Sequence, residues 1–465
     1  MKLAILGYGV EGKSIEKYFQ THPYENVPPE NIEIKVFNDF KDEDIENLGL
    51  DDYDVIFRSP SVRPHYDFKK YETDIVEPGE STEHLYFQEK PYWTSATNYF
   101  FQHCPCEIIA VSGTKGKGTT CSMITAILQS IHQQIYQSSK KDNPQVYLVG
   151  NIGTPCLDVL DKIEAHDEVV FEMSSFQLWD LHTSSSVSVL LRIEPDHLNV
   201  HYDLDDYHYA KSTLARYKKA TDYLIYFRDN ETTKSIAEAS LAHKIPYPIS
   251  DVSGTSKSGA NKHLIDILDS LQVPGEHNRE NAEAALLAVA ARYTNGNIDT
   301  LLDSELFPAV KSALANFQGL PHRCQFLREL NNVKYYDDNY SSALPALDVA
   351  LKTFEKNPTV LICGGMSRGI DQQIKKRVFS APNLEKAILI GESAETLAEG
   401  EKPERYELAS SLAEAVKKAR VAAEKIATKD TPAIVVMSPG FPSFDMFKNF
   451  TERGEQYTKL VKELK

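Results

Sequence analysis

The sequence predicts an α/β protein in which helices cover parallel sheets. Short β-branched runs alternate with helical patterns almost throughout its 465 residues, and an apolar run leads into a glycine turn and a helical pattern at Gly7–Gly12 and again at Gly113–Gly118. That length exceeds what one hydrophobic core supports, so several domains follow.

In chain order, strands are expected at Leu3–Leu6, Ile32–Phe37, Asp54–Phe57, Glu107–Val111, Val146–Val149, Glu168–Phe171, Val187–Leu191 and Tyr223–Tyr226. Later ones are expected at Val333–Tyr336, Thr359–Cys363, Lys386–Ile390 and Ala433–Met437. Two stretches read as seams: Tyr86–Gln102, aromatic and polar without a clear period, and Gly319-Leu-Pro321, which interrupts a helical pattern. Three domains are therefore expected, at 1–97, 98–318 and 319–465. Between Asp251 and Lys262 the chain is rich in Ser, Gly and Lys and reads as a solvated loop.

With 42% hydrophobic and 25% charged residues the chain has the balance of a soluble globular protein, not of a disordered or fibrous one. A net charge of -17 argues against nucleic acid, which is bound through clustered Lys and Arg. No run approaches the roughly 20 apolar residues that span a bilayer, and the start, MKLAILGYGVEGKS, is unlike a signal peptide, so the cytoplasm is expected. The six cysteines are scattered, and Cys104-Pro-Cys106 is too tight for the usual zinc pair, so they read as reduced thiols.

The strongest local signal is IIAVSGTKGKGTTCSMITAIL, an apolar strand running into Gly113, Thr114, Lys115, Gly116, Lys117, Gly118, Thr119 and Thr120 and then a helix. Glycines let backbone N–H groups turn toward an anion, the helix presents its positive N-terminus, Lys117 can reach terminal phosphates and Thr119 offers a hydroxyl to Mg²⁺. The spacing is G-x-x-G-K-x-T rather than the commoner G-x-x-x-x-G-K-[ST], because position 111 is Val and Gly118 follows the lysine.

A second pattern, Gly7-x-Gly9-x-x-Gly12, follows the first strand. A nicotinamide enzyme would place an acidic residue about 20 residues on, and Asp39 lies beyond that distance. The turn fits a nucleotide diphosphate on a helix N-terminus or a plain tight turn, and spacing does not choose between them.

Polar clusters then follow strand ends: Glu172-Met-Ser174-Ser175-Phe-Gln177, Glu194-Pro-Asp196-His197-Leu-Asn199 and Tyr207-His-Tyr-Ala-Lys211. In a parallel sheet the C-terminal strand ends face the ligand crevice, so the Glu172 carboxylate would emerge where a phosphate-bound Mg²⁺ needs an oxygen ligand. His197 could ligate a second metal, although spacing alone favours a buried structural histidine or a capping Asp196. Lys211, taken alone, reads as a solvated charge.

Together these clusters resemble the Mur ligase family nearly end to end. The family's ATP loop, its GNIG, its ELSSFQL, its DHLD and its G-x-H-N-x-x-N resemble GTKGKGTT, Gly150-Asn151-Ile152-Gly153, Glu172–Leu178, Asp196–Asn199 and Gly275-Glu-His277-Asn278-Arg-Glu-Asn281. Phe317-Gln-Gly319-Leu-Pro-His322-Arg323 resembles the family's linker. Ser438-Pro-Gly-Phe-Pro-Ser443-Phe-Asp445-Met-Phe447-Lys-Asn-Phe450-Thr-Glu-Arg453-Gly454 is similar to the signature of its D-glutamate-adding members.

The resemblance implies an ATP-dependent amide ligase of peptidoglycan precursor synthesis that adds glutamate to UDP-N-acetylmuramoyl-L-alanine through an acyl phosphate. It implies a Rossmann-like UDP-binding domain, a central P-loop ATPase domain and a C-terminal Rossmann-like domain that closes over ATP. It implies a monomer whose partners are these small molecules, with neither nucleic acid nor membrane.

Residue by residue, the implied ATP site is Gly113–Thr120, with Asn278 and Asn281 at adenine, Arg323 at the γ-phosphate and Asp338 on the nucleotide side of the last domain. Two Mg²⁺ sites would draw on Thr119, Glu172, His197 and a carbamylated Lys211. The implied catalytic set is Lys117, Glu172, His197, Lys211 and Arg323. The UDP substrate would lie against Gly7, Gly9, Gly12, Asn38, Asp39, Ser59, Pro60, Asn151, Ser174 and Gln177. Glutamate would lie against Ser342, Arg368, Ser443 and Phe450.

Four positions depart from the pattern: Gly118 replaces a hydroxyl residue, Asn199 an aspartate, Tyr340 the lysine of NDSKATN, and Arg368 the lysine of GGxDKG. Arg368 keeps the charge and can grip a carboxylate bidentately. Gly118 also resembles folylpolyglutamate synthase, a rival reading that the Gly7–Gly12 turn and the SPGFPSFDMF stretch oppose. Retention of Lys117, Glu172, His197 and Lys211 opposes an inactive nucleotide-binding regulator, and a dehydrogenase would not need the second phosphate loop.

Overall fold

The computed structural model describes residues 1–64, 91–136, 143–249, 262–367 and 369–465. Arg368 and almost all of the Ser/Gly-rich stretch from Asp251 lie outside the described residues, as do 86–90 of the first seam. The chain divides into two compact units, Met1–Asp269 with Arg279–Leu314, and Ser270–Asn278 with Ala315–Lys465.

The first unit holds two parallel sheets. Strands β1 (Lys2–Leu6), β2 (Glu33–Phe37), β3 (Val55–Arg58) and β4 (Tyr92–Ser95) pair in the order β2-β1-β3-β4. Strands β5 (Glu107–Ser112), β6 (Val146–Gly150), β7 (Glu168–Glu172), β8 (Val187–Leu190), β9 (Tyr223–Phe227) and β10 (His243–Tyr247) pair in the order β10-β9-β8-β5-β7-β6. β5 and β7 are buried almost throughout, as a sheet covered on both faces requires. The helix Lys117–Ile135 buries Met123, Ile124, Ile127, Leu128 and Ile131, the three- and four-residue spacing of one helical face. One core runs from Leu3, Ile5 and Phe57 to Val149, Phe171 and Leu190, joining the two sheets.

The second unit is built on β11 (Gln325–Leu330), β12 (Val333–Asp337), β13 (Thr359–Gly364), β14 (Leu384–Ile390), β15 (Tyr406–Leu408) and β16 (Ala433–Met437), in the order β11-β12-β16-β13-β14-β15. Only the β11–β12 pairing is antiparallel among the described residues. Successive residues of β16 alternate faces, Val435 and Met437 packing with Ala415, Ala419 and Tyr457, Ile434 and Val436 with Leu347, Val378 and Leu397. The expected strands are present to within two residues. β4, β10, β11 and β15 were not expected, and β4 with the helix Ala96–His103 gives regular structure to part of the stretch read as an aperiodic seam.

Candidate active site

β5 lies between β7 and β8, so the turn that follows it opens where two neighbouring strands also end. Gly113 and Gly116 have φ of +151° and +89°. A Cβ on Gly113 would stand 2.6 Å from Leu191 Cβ, and one on Gly116 2.5 Å from Asn281 Oδ1, so both positions require glycine. Gly116 caps the helix Lys117–Ile135, and the Lys117 ammonium folds over the turn, donating to the carbonyls of Gly113 (3.1 Å) and Thr114 (3.0 Å). Backbone donors at a helix N-terminus beside a mobile cation are what nucleotide phosphates need, and the loop fits them.

The turn is fixed from several sides. Thr114 Oγ1 lies 2.8 Å from Tyr207 OH and accepts from Glu194 N–H at 2.8 Å; Thr120 Oγ1 donates to Asn281 Oδ1 at 3.3 Å. Asn281 thus sits on the loop, while Asn278, in the other unit, donates to Pro274 O. Thr119 is half-buried and Lys115 exposed.

Lys211 is buried at 2% exposure, not solvated as its sequence context implied. The helix Leu204–Arg216 carries it under β5, where Nζ donates to Ser112 Oγ (3.0 Å) and Gly113 O (2.9 Å). Burial, and next the charge of Lys117, push its pKa well below the ordinary lysine range, against the pull of Glu172 and Asp196. A neutral amine in such a place is nucleophilic toward CO₂, so the residue fits carbamylation.

Glu172 ends β7, is 4% exposed, and accepts from Asn151 Nδ2 at 3.0 Å. His197 is not the buried histidine that spacing favoured: its side chain is 48% exposed and its φ is +54°. The histidine buried here is His201, held by Asp206 Oδ2 and Ser175 Oγ at 2.9 Å each. Among the described residues no three His, Cys, Asp or Glu side chains form a metal cage. Glu172, Thr119 and His197 could each supply a single donor, and Mg²⁺ commonly completes such partial sets with phosphate oxygens and water.

In the same unit the Gly7–Gly12 turn follows β1. Gly7 has φ +83°, and a Cβ on Gly12 would stand 2.2 Å from Gly7 O. Ser59 Oγ donates to Gly7 O (2.7 Å), Tyr8 N–H to Asn38 Oδ1 (3.3 Å), and Asn38 Nδ2 to Asp39 Oδ1 (3.2 Å), so these residues converge. Gly9 caps the helix Val10–Phe19, and the half-buried Pro60 follows Ser59.

Sequence reasoning missed what joins this turn to the central sheet. Ser174 and Gln177 form a capping box, and Gln177 Nε2 donates to Glu11 Oε1 at 2.7 Å. Arg58, 1% exposed, grips Asp180 through Nε (2.9 Å) and Nη2 (2.6 Å). Partners 166 and 122 residues apart leave no local pattern to find.

In the second unit Arg323 is exposed and its guanidinium lies 5.3 Å over the Tyr340 ring. Asp338 accepts from Ser341 Oγ (2.6 Å), Ser438 Oγ (2.8 Å) and Cys324 N–H (3.2 Å), and burial raises its pKa despite them. Ser443 is buried, its hydroxyl without a hydrogen-bond partner among the described residues, Ser342 is exposed, and Phe450 is 41% exposed.

A glycine turn at a helix N-terminus, with a buried lysine against it and a buried carboxylate ending the neighbouring strand, is the arrangement of a nucleotide-dependent enzyme of α/β architecture. Residues 111–289 match the family described as Mur ligase middle domain. The chain is 30% identical over 491 residues to UDP-N-acetylmuramoylalanine--D-glutamate ligase of Acetivibrio thermocellus, covering 99% of this chain and 96% of the relative. It is 29% identical over 494 residues to the Clostridium kluyveri protein of the same name, covering 100% and 97%. A solved UDP-N-acetylmuramoyl-L-alanyl-D-glutamate--2,6-diaminopimelate ligase superposes with TM-score 0.52 at 16% identity, over 100% of this chain and 93% of that one, a likeness of fold. The chain belongs to the Mur ligase family.

Proposed function

We propose that this protein uses ATP to join D-glutamate to UDP-N-acetylmuramoyl-L-alanine, releasing ADP and phosphate, in the cytoplasm and as a monomer. The observation that carries the reading is likeness along essentially the whole chain to ligases named for that reaction, at 30% identity, with the phosphate turn and the SPGFPSFDMF stretch both present. Residues 1–97 serve the UDP substrate, 98–318 ATP, and 319–465 glutamate and closure.

In the first step a substrate carboxylate oxygen attacks the γ-phosphorus, the β–γ bridge breaks and ADP leaves an acyl phosphate. Lys117 and the N–H groups of Gly113–Thr120 hold the phosphates, Arg323 answers the γ-phosphate charge, and Asn278 and Asn281 orient adenine. Thr119, Glu172, His197 and carbamylated Lys211 would hold Mg²⁺ at two sites, where it would neutralise phosphate charge. The glutamate amine then attacks the acyl carbon, loses a proton and expels phosphate. Ser443, whose buried hydroxyl has no partner among the described residues, and Ser342, Arg368 and Phe450 hold the acceptor. The Gly7–Gly12 turn, Asn38, Asp39, Ser59, Pro60, Asn151, Ser174 and Gln177 hold the UDP-sugar.

Gly118 is the one feature that favours a folate-directed glutamate ligase. Phosphate release measured with UDP-N-acetylmuramoyl-L-alanine or a reduced folate, each with D- or L-glutamate, separates the readings. Release is expected only for the UDP substrate with D-glutamate; release with folate alone would replace this function by the other.

A further inference from the structure

Position 340 carries tyrosine where the family pattern has lysine, and an aromatic stack surrounds it. Arg323 Cζ lies 5.3 Å from the Tyr340 ring centroid, and Phe450 packs on the same ring at 4.9 Å with planes 51° apart. The three residues are exposed, Tyr340 by 44% and Phe450 by 41%. Their backbones are tied together. Tyr340 N–H donates to His322 O at 3.0 Å, next to Arg323, and Asn339 Nδ2 donates to the Phe450 carbonyl. The Asn339 side chain is itself locked by Arg453, 1% exposed, whose Nε donates to Asn339 Oδ1 at 2.6 Å.

A lysine at 340 would set a second cation beside Arg323 and repel it. A ring face instead attracts a guanidinium and narrows its rotamers. Among the described residues no salt bridge engages Arg323, and the Tyr340 ring lies within cation–π reach of its guanidinium. We infer that Tyr340 is a positioning residue: it holds the Arg323 guanidinium in readiness for the nucleotide phosphates and links it to Phe450 on the acceptor side. The inference rests on the placement of Arg323 at the γ-phosphate.

The test is a mutant cycle on the full chain, reading KM for ATP, kcat and Tm for the wild type, Tyr340→Phe, Tyr340→Leu, Arg323→Ala and the Tyr340→Leu/Arg323→Ala double variant. Tyr340→Leu should raise KM for ATP or lower kcat by about two- to five-fold, the range for an exposed cation–ring contact. Tyr340→Phe should stay close to wild type, Tm should stay unchanged in both, and Tyr340→Leu should add nothing once Arg323 is alanine. If Arg323→Ala weakens turnover while Tyr340→Leu does not, or if the two effects add, the positioning role is wrong. If Arg323→Ala itself changes neither constant, the placement of Arg323 at the phosphate fails, and this inference with it.

Discussion

Lys211 Nζ donates to the carbonyl of Gly113 at 2.9 Å, placing a buried lysine directly beneath the turn that we assign to nucleotide phosphates. The loss of water on burial, and after it the adjacent Lys117 charge, favour its neutral form. Protein incubated with ¹³C-bicarbonate should therefore show a carbamate carbon by ¹³C NMR, absent from Lys211→Ala. That variant should also lose about 100-fold or more in kcat, since a preorganised charge at the reacting phosphate is removed. A wild-type spectrum without the carbamate signal would restrict Lys211 to a structural role.

Glu11 supplies a pH effect. Burial, and the negative Asp180 nearby, push its carboxyl up to about 7 from 4.5, against the Gln177 hydrogen bond and the Arg58 charge. Because the folded pKa is the higher, the folded state holds the extra proton between about 4.5 and 7, and the associated stability is lost as pH rises through that window. Glu11→Gln keeps the acceptor for Gln177 but cannot ionise. It should match the wild type near pH 5 and exceed it by about 1–3 kcal/mol near pH 8 in urea unfolding. Parallel pH profiles for the two proteins would contradict this.

The Arg58–Asp180 pair should be worth more broken than whole. Asp180→Asn takes the carboxylate from a guanidinium that is 1% exposed, and should destabilise by about 3–5 kcal/mol. Arg58→Met with Asp180→Leu should recover much of that loss. Chemical denaturation reads both, and equal destabilisation of the single and double variants would show that the charge is not what matters.

Which parts of this were legible in the sequence follows from where apolar side chains are needed. Interior strands such as β5 and β16, buried on both faces, read as unbroken β-branched runs and were found. The four unexpected strands, β4, β10, β11 and β15, are all sheet edges. There Tyr-Trp-Thr-Ser, a strand containing Pro246 and the three-residue Tyr-Glu-Leu satisfy weaker demands and blend into loops. The Gly113–Gly118 turn was legible as a glycine turn because Gly113 and Gly116 answer a local conformational need. The burial of Lys211, the exposure of His197 and the Glu11–Gln177 bond were not, because each is decided by elements distant in the chain.

The central claim is that ATP activates a donor carboxylate as an acyl phosphate at the Gly113 turn. Labelling the carboxylate of UDP-N-acetylmuramoyl-L-alanine with ¹⁸O, then following turnover with ATP and D-glutamate by ³¹P NMR, tests it most directly. The account predicts that one labelled oxygen is transferred to the inorganic phosphate for each amide formed. Phosphate free of label while amide accumulates would contradict it.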